Sequence, residues 1–357
     1  MITKVENKKK LDILLGYSFI HGIIDFCCAF VVLNSLLISK YNSFHDINLI
    51  ILYNVLAFAL QFPFGILIDR YKCLKESALI GCLLVLTSFL FLSNPFLVIL
   101  LAGLGNAFFH IGGGGLSLNI ETNKAFFPGI FVAPGALGLT LGILLGNSGY
   151  LTYWPFILLL LISIVFIIIK KIPSINYQKV SIKREVNYFN FILLGLFFSI
   201  CIRSLYGVTA VFDWKSNIIL LVISTVFVVI GKFLGGFLAD KYGWIKITTI
   251  VLLISAPILS FYKEIPFLAI LGGCFFQMTM PMTLVGVSNL LPGRPATSFG
   301  LTTFALILGA MPLYLGWKNL FYGSFISLLL ISISAVLLLF SFKLGFNYLK
   351  KKQKINL

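Results

Sequence analysis

Long stretches of apolar residues run through almost the whole chain and are separated by short polar segments. A helix needs about 20 predominantly apolar residues to cross the hydrocarbon core of a bilayer. On this criterion the pattern predicts an all-α polytopic membrane protein with twelve transmembrane helices. Their approximate limits are residues 12–37, 47–68, 77–93, 96–119, 125–147, 151–169, 189–211, 217–239, 246–262, 265–291, 297–315 and 319–342.

One polar segment is longer than the others. It extends from Lys170 to Asn187, between the sixth and seventh predicted spans, and it is basic. We interpret this segment as a linker between two six-helix bundles. The predicted organisation is an N-terminal bundle (1–169), a cytoplasmic linker (170–188), a C-terminal bundle (189–342) and a basic cytoplasmic tail (343–357).

A repeated motif relates the two halves. Gly65-x-x-x-Asp69-Arg70 follows the second apolar stretch, and Gly236-x-x-x-Asp240-Lys241 follows the eighth, 171 residues later. Internal duplication of this kind is typical of transporter folds, in which two pseudo-repeats face each other. The motif therefore predicts two homologous six-helix bundles.

Composition and charge agree with a membrane protein. Only 11% of the residues are charged and the mean hydropathy is +1.05, which excludes a soluble domain. If both termini are cytoplasmic, most of the 27 Lys and Arg residues lie on the cytoplasmic side of the membrane, as is usual for membrane proteins. We therefore expect a multi-pass protein of a bacterial plasma membrane. Its net charge of +16 indicates topology and attraction to membrane lipids, and not nucleic-acid binding.

The six cysteines lie mostly in apolar segments and show no C-x-x-C spacing. They predict neither a disulfide framework nor a metal site, and we expect no cofactor. No nucleotide-binding motif of the type G-x-x-x-x-G-K-[ST] occurs, so direct coupling to ATP is not expected.

The chain resembles the major facilitator superfamily over essentially its whole length. Gly65-x-Leu67-x-Asp69-Arg70 is similar to that superfamily's loop 2–3 motif, and Gly236-x-Leu238-Ala239-Asp240-Lys241-x-Gly243 is similar to its loop 8–9 copy. The resemblance implies a central cavity lined by spans 1, 4, 7 and 10, and alternating access by rocking of the two bundles. We also expect a monomer.

Two further segments resemble branches of this superfamily. The segment from Ala133 to Gly138 is similar to the span-five motif associated with antiporters. Gly105-Asn106-Ala107-Phe108-Phe109-His110, with the glycines that follow it, is similar to the fosmidomycin-resistance-like efflux branch. The first resemblance implies an antiporter, and the second implies an efflux transporter.

The repeated motif has a physical interpretation of its own. Each aspartate lies where a helix ends, so its carboxylate can accept hydrogen bonds from the N-terminus of a neighbouring helix. Such bonds would form in one arrangement of the bundles and break in the other. The alternative is a pair of interfacial charges that reach towards water. The predicted conformational latch comprises Gly65, Asp69, Arg70, Gly236, Asp240 and Lys241.

Ionisable residues within spans indicate where function lies, because each is unfavourable in lipid without a partner or a cavity. Asp25 lies in span one, and His21 precedes it by one helical turn on the same face. His110 in span four, Arg203 in span seven and Lys232 in span eight complete the predicted set for proton coupling and the cavity. Their formal charges favour an anionic or zwitterionic cargo. Alternatively, Asp25 forms a structural salt bridge with Arg203, and His110 is a packing histidine.

Polar and helix-bending positions add weaker candidates. Asn106, Tyr206, Gln277 and Thr279 are possible substrate-lining residues, and each could equally form an interhelical hydrogen bond. The glycine run either bends its helix or allows close helix packing. The predicted helix-bending residues are Gly112, Gly113, Gly114, Gly115, Pro134, Gly135, Gly138 and Pro281.

Together these features predict a secondary-active transporter that binds a small-molecule substrate and protons. Proton-coupled export of a small organic compound is the first interpretation, and an uptake permease for a small organic anion is the second. A channel is less expected because no selectivity-filter repeat occurs. A membrane-embedded enzyme is also less expected because no nucleophile with its base is evident, so the chain is not predicted to be an enzyme.

Overall fold

The chain is described by a computed structural model, which covers residues 2–39, 43–173, 177 and 186–355. These residues form fourteen α-helices. The helices are α1 (Ile2–Ser39), α2 (Ser43–Asn54), α3 (Gln61–Tyr71), α4 (Leu74–Ser88), α5 (Pro95–Ile120), α6 (Phe126–Asn147), α7 (Trp154–Ile169), α8 (Val186–Thr209), α9 (Ile218–Tyr242), α10 (Trp244–Phe261), α11 (Pro266–Gln277), α12 (Thr279–Leu290), α13 (Pro295–Tyr314) and α14 (Ser324–Ile355).

The predicted fold class is confirmed. Within the described part of the chain, eleven helical stretches are long and apolar enough to cross a membrane. The shorter apolar helix Trp154–Ile169 accounts for the sixth predicted span. Much of the predicted linker lies outside the described residues.

Two of these spans are interrupted. A π-helical turn, Val55–Ala59, separates α2 from α3, and Met278 separates α11 from α12. The second interruption has a sequence cause, because the ring of Pro281 would clash with the carbonyl group of Gln277, four residues earlier in a regular helix. The first has no proline or glycine within it.

The chain divides into two compact units. The first comprises residues 1–121, 130–177 and 294–304, and the second comprises residues 122–129, 178–293 and 305–357. Two helices therefore belong partly to each unit. Helix α6 begins in the second unit and continues in the first, whereas α13 begins in the first unit and continues in the second.

The glycine run of α5 lies in the first unit. Helix α5 is continuous from Pro95 to Ile120, and the run lies within it. A Cβ atom at Gly112 would be 2.5 Å from the carbonyl oxygen of Leu74, and one at Gly113 would be 2.7 Å from the ring of Phe131. Helices in lipid approach closely at small residues of this kind. The structure thus shows the close-packing arrangement at these glycines.

Close approach also holds the second unit together. The backbone of Cys274 lies where a side chain at Gly231 would be, which brings α9 against α11. Ser199 donates a hydrogen bond of 2.9 Å to the carbonyl oxygen of Ser334 and so joins α8 to α14. These contacts fix the two helices, α8 and α9, that carry Arg203 and the second copy of the repeated motif.

Candidate functional site

Four polar side chains meet inside the first unit, and we refer to them as the histidine cluster: His21 and Asp25 from α1, and Asn106 and His110 from α5. His21 Nε2 lies 2.8 Å from His110 Nε2 and 3.2 Å from Asp25 Oδ2. His110 Nε2 lies 3.5 Å from Asp25 Oδ1, to which Asn106 Nδ2 donates a hydrogen bond of 3.1 Å. In each helix the two residues are four apart, so one helical face presents both.

Backbone carbonyl groups determine the tautomer of both histidines. Nδ1 of His21 lies 2.7 Å from the carbonyl oxygen of Phe131, and Nδ1 of His110 lies 2.8 Å from that of Asn106. A carbonyl oxygen can only accept a hydrogen bond, so each Nδ1 carries the hydrogen. In the neutral form both Nε2 atoms would then present lone pairs to each other across 2.8 Å. This arrangement requires a proton or another cation between them.

The histidine cluster lies in a largely apolar environment. The side chains of His21 and His110 are 5% and 9% exposed, and that of Asp25 is 16% exposed. Phe131 stacks on His21 with ring centroids 4.6 Å apart. Charges interact strongly in such surroundings and are poorly stabilised without a partner. The cluster carries one negative charge without an extra proton and is neutral with one.

Glycine at position 135 keeps space open beside the histidine cluster. A Cβ atom there would collide with Asp25 Oδ2 and lie 2.5 Å from His21 Nε2. On the same helix, Gly138 allows the backbone of Gly22 to approach, which brings α1 and α6 together. Gly135 and Gly138, predicted as helix-bending residues, thus contact the helix that carries Asp25.

The same atoms form a set of possible metal ligands. The ligand atoms of His21, Asp25 and His110 lie within 4.8 Å of one another. Both imidazoles donate Nδ1–H to a carbonyl group, which is the usual support for histidine bound to a metal through Nε2. The cysteine spacing predicted no metal site, and His21 and His110 are 89 residues apart in the chain, so no short motif indicated one either.

The second unit contains the other predicted intramembrane cations. Arg203 of α8 is half-buried and donates hydrogen bonds from Nη1 to Thr279 Oγ1 and, at 3.2 Å, to Thr283 Oγ1. Lys232 of α9 is also half-buried. Asp25 and Arg203 each have hydrogen-bond partners within their own unit.

The remaining predicted substrate-lining residues differ in position. Tyr206 is 4% exposed, packs against Phe276 with ring centroids 5.4 Å apart, and donates a hydrogen bond to the carbonyl oxygen of Leu259. It is therefore part of the core of the second unit. Gln277 is half-buried at the end of α11, and Thr279 binds Arg203 directly.

The first copy of the repeated motif caps a helix within the first unit. Asp69 Oδ1 accepts a hydrogen bond of 3.1 Å from the backbone of Ala296, and Oδ2 accepts two of 2.7 Å from the backbone and hydroxyl of Thr297. These residues form the first turn of α13. A Cβ atom at Gly65 would lie 2.6 Å from the carbonyl oxygen of Ala296, so glycine permits this contact.

The second copy repeats the arrangement within the second unit. Asp240 Oδ1 accepts hydrogen bonds of 3.0 Å from the backbone of Ala125 and from Trp244 Nε1, and Oδ2 accepts one of 2.9 Å from the backbone of Phe126. These backbone groups belong to the start of α6. The backbone of Ala125 again lies where a side chain at Gly236 would be. Each aspartate thus caps a helix that continues in the other unit.

The basic residues of the two motif copies lie at the ends of α3 and α9. Lys241 lies over the ring of Tyr242, 5.0 Å from its centroid, and Arg70 is exposed. Lys72 has the left-handed backbone conformation, with φ 59° and ψ 37°, whereas the corresponding Gly243 has a positive φ of 98° with an extended ψ of 134°. The turn after the first motif therefore forms without glycine.

Comparison with known proteins decides the fold. No family model and no curated protein matches the chain. Solved structures do match it. The fucose:proton symporter of E. coli has a TM-score of 0.67 and 14% sequence identity over 93% of this chain and 98% of that chain. The human organic anion transporter MFSD10 has a TM-score of 0.66 and 15% identity over 95% and 99%.

A third structure, the proton:xylose symporter XylE of the major facilitator superfamily, has a TM-score of 0.66 and 13% identity over 95% of this chain and 96% of that chain. The chain has the major facilitator fold. At these identities the similarity shows the fold alone. The features specific to this chain are the histidine cluster, Arg203 and the two aspartate caps, Asp69 and Asp240.

Proposed function

We propose that the chain is a secondary-active transporter that works by alternating access and exports a small organic compound in exchange for protons. The single observation that carries this proposal is the pair of Nε2 atoms of His21 and His110, 2.8 Å apart beside the carboxylate of Asp25. A mobile cation is needed at that point, and the proton is the simplest one. The efflux-like segment of span four favours export, and the antiporter-like segment of span five favours exchange for protons.

The proton is held by the histidine cluster in this proposal. Loaded, the cluster is neutral and suits an apolar membrane interior; unloaded, it carries one negative charge, which is unfavourable there. A difference of a few kcal/mol between the two states is enough to shift a two-state equilibrium strongly. Binding and release of one proton can therefore bias the conformation of the transporter.

In this proposal, the hydrogen bonds of Asp69 and Asp240, the two aspartate caps, form or break as the conformation changes. Asp69 and Asp240 each stabilise the first turn of a helix that runs from one unit into the other. Charge-assisted hydrogen bonds of this kind are stronger than those between neutral groups. We infer that they form the conformational latch, and that the bundles at 1–169 and 189–342 are the bodies that it joins.

Transport by the purified protein in proteoliposomes tests the proposal. A cargo is first identified by a resistance screen of a deletion strain. We expect vesicles with an acidic interior to accumulate that cargo from outside, because protons leave as the cargo enters. A protonophore should abolish the accumulation. Accumulation that needs an acidic exterior would instead show proton-coupled uptake, which is the second candidate function.

The second candidate, uptake of a small organic anion, is favoured by the guanidinium of Arg203 in the second unit.

The same vesicle assay is repeated with a metal chelator to examine the other cation that the histidine cluster could hold. Transport that depends on a divalent metal and not on the pH gradient would contradict proton coupling.

Orientation gives a separate prediction. With both termini in the cytoplasm of a bacterial plasma membrane, Thr122 lies inside and Leu151 outside. Both are exposed, Leu151 by 67%. In a cysteine-free background, we expect a membrane-impermeant maleimide to label Leu151→Cys on intact cells and Thr122→Cys only after permeabilisation. Labelling of Thr122→Cys on intact cells would show that the topology is inverted.

A further inference from the structure

The guanidinium of Arg203 uses only one of its nitrogens in the described structure. Nη1 donates to Thr279 Oγ1 and Thr283 Oγ1, and the guanidinium lies 5.9 Å from the ring centroid of Phe276. Arginine has five N–H donors in a planar fork. The edge formed by Nε and Nη2 has no hydrogen-bond partner among the described residues, and it is not fully enclosed by protein. This edge is the one that binds a carboxylate through two parallel hydrogen bonds.

The two threonines hold that edge in a fixed orientation. The hydroxyl of Thr279 donates to the carbonyl oxygen of Phe276 at 2.9 Å, and that of Thr283 donates to the carbonyl oxygen of Thr279 at 2.8 Å. Since both hydroxyl hydrogens are used by the backbone, the oxygens present lone pairs to Nη1. A guanidinium held in this way loses less side-chain entropy when it binds an anion.

No protein carboxylate neutralises Arg203 within the described part of the second unit. Of the acidic residues there, Asp240 binds the start of α6, Glu264 lies 3.9 Å from Lys263, and Asp213 lies in the loop after α8. A charged side chain in a transmembrane helix is unfavourable without a partner and typically marks a substrate pathway. Within the described part of its own unit, Arg203 therefore has no acidic partner, and its charge is available to an anionic substrate.

Open space lies beside Arg203 on its own helix. Gly207 follows it by four residues, so the two positions share one face of α8. A Cβ atom at Gly207 would meet no other atom within 4 Å. Because helical side chains lean towards the preceding turn, a larger side chain at 207 would cover the approach to residue 203.

We propose that Arg203, oriented by Thr279 and Thr283, is a subsite for the carboxylate group of the transported compound. The inference rests on the proposed function and defines its cargo as a small organic anion. The Nε and Nη2 groups bind the two carboxylate oxygens, and Gly207 leaves room for the rest of the molecule. The subsite fits either direction of transport.

Chemical modification of the wild-type protein tests the subsite without a known cargo. Purified protein in neutral detergent is treated with phenylglyoxal, which modifies accessible arginines, and the adducts are located by mass spectrometry. We expect acetate to protect Arg203 and its neutral counterpart acetamide not to protect it. The exposed residues Arg70 and Arg294 serve as internal controls that neither compound protects. Arg203 that reacts equally with acetate present, or that does not react at all, would overturn the proposal.

Two variants measure the effect on affinity. Arg203→Lys keeps the charge but lacks the planar edge, and Gly207→Leu keeps the arginine but covers its approach. We expect each variant to lower the affinity for acetate on the order of tenfold, as for loss of charge-assisted hydrogen bonds. The affinity is measured from the dependence of thermal stabilisation on acetate concentration. Gly207→Leu should fold normally because its site is open. Unchanged stabilisation by acetate in both folded variants would contradict the proposal.

The binding experiments and the transport experiment fail independently. Protection of Arg203 by acetate is an equilibrium property and needs no pH gradient. If acetate protects Arg203 but no pH gradient drives transport, the subsite stands and proton coupling is wrong. If a gradient drives transport of a neutral cargo and acetate gives no protection, the subsite is wrong and the proposed function stands.

Discussion

Asp25→Asn should abolish transport driven by a pH gradient while exchange of bound cargo continues. Asparagine nearly preserves the shape of the side chain but removes the negative charge beside His21 and His110. The shared proton would then give the histidine cluster a net positive charge in an apolar environment, which is unfavourable. The proton should leave the cluster, and its binding could no longer bias the conformation. Gradient-driven accumulation should fall at least about 100-fold, as for loss of an interaction worth a few kcal/mol.

A matched control lies on the same helix. Asp12 belongs to α1 as Asp25 does, but it is exposed and lies outside the histidine cluster. Asp12→Asn should transport at the wild-type rate. Gly135→Ala provides an independent perturbation, because its Cβ would displace Asp25 and His21 without removing a charge. Gradient-driven transport retained by a folded Asp25→Asn variant would show that Asp25 is a structural residue.

The histidine cluster also shows what the sequence could and could not predict. The interval between His21 and Asp25 places both on one helical face, so their association was predictable. The contact with His110 was not, because α5 is apolar on most of its surface and its pattern does not indicate which face meets α1. Charge alone suggested Arg203 as a partner for Asp25. In the structure, the hydrogen bonds of Asp25 within its unit go to α1 and α5 side chains.

The fold was more predictable than the site. Each apolar stretch is close to the length of a membrane-spanning helix, so the limits agree closely with the structure; span eight, predicted at 217–239, is Ile218–Tyr242. Pro281 indicated the irregularity in span ten, because proline removes a hydrogen-bond donor from the helix. The π-helical turn Val55–Ala59 was missed, since apolar residues there give no local signal.

Asp69→Asn and Asp240→Asn should slow the transport cycle by about tenfold or more, while cargo affinity stays near wild type. Each variant keeps the shape of the side chain but loses the charge that stabilises a helix N-terminus. Neither residue belongs to the histidine cluster or the Arg203 subsite, so equilibrium binding should be preserved. The measurements are the initial transport rate in vesicles and cargo binding by thermal stabilisation. Asp213→Asn, in the loop after α8, is the control.

Substitution of the side-chain partner of each aspartate should affect the two copies of the repeated motif differently. The hydroxyl that binds Asp69 belongs to Thr297 of the capped helix α13, so Thr297→Val removes one hydrogen bond of 2.7 Å from the cap itself. The third partner of Asp240 is Trp244, which belongs to α10 and not to the capped helix α6. Thr297→Val should therefore slow the cycle, whereas Trp244→Phe should leave the two backbone hydrogen bonds to α6 intact and slow it less.

Wild-type transport rates in folded Asp69→Asn and Asp240→Asn proteins would show that the caps stabilise the fold without acting as a latch.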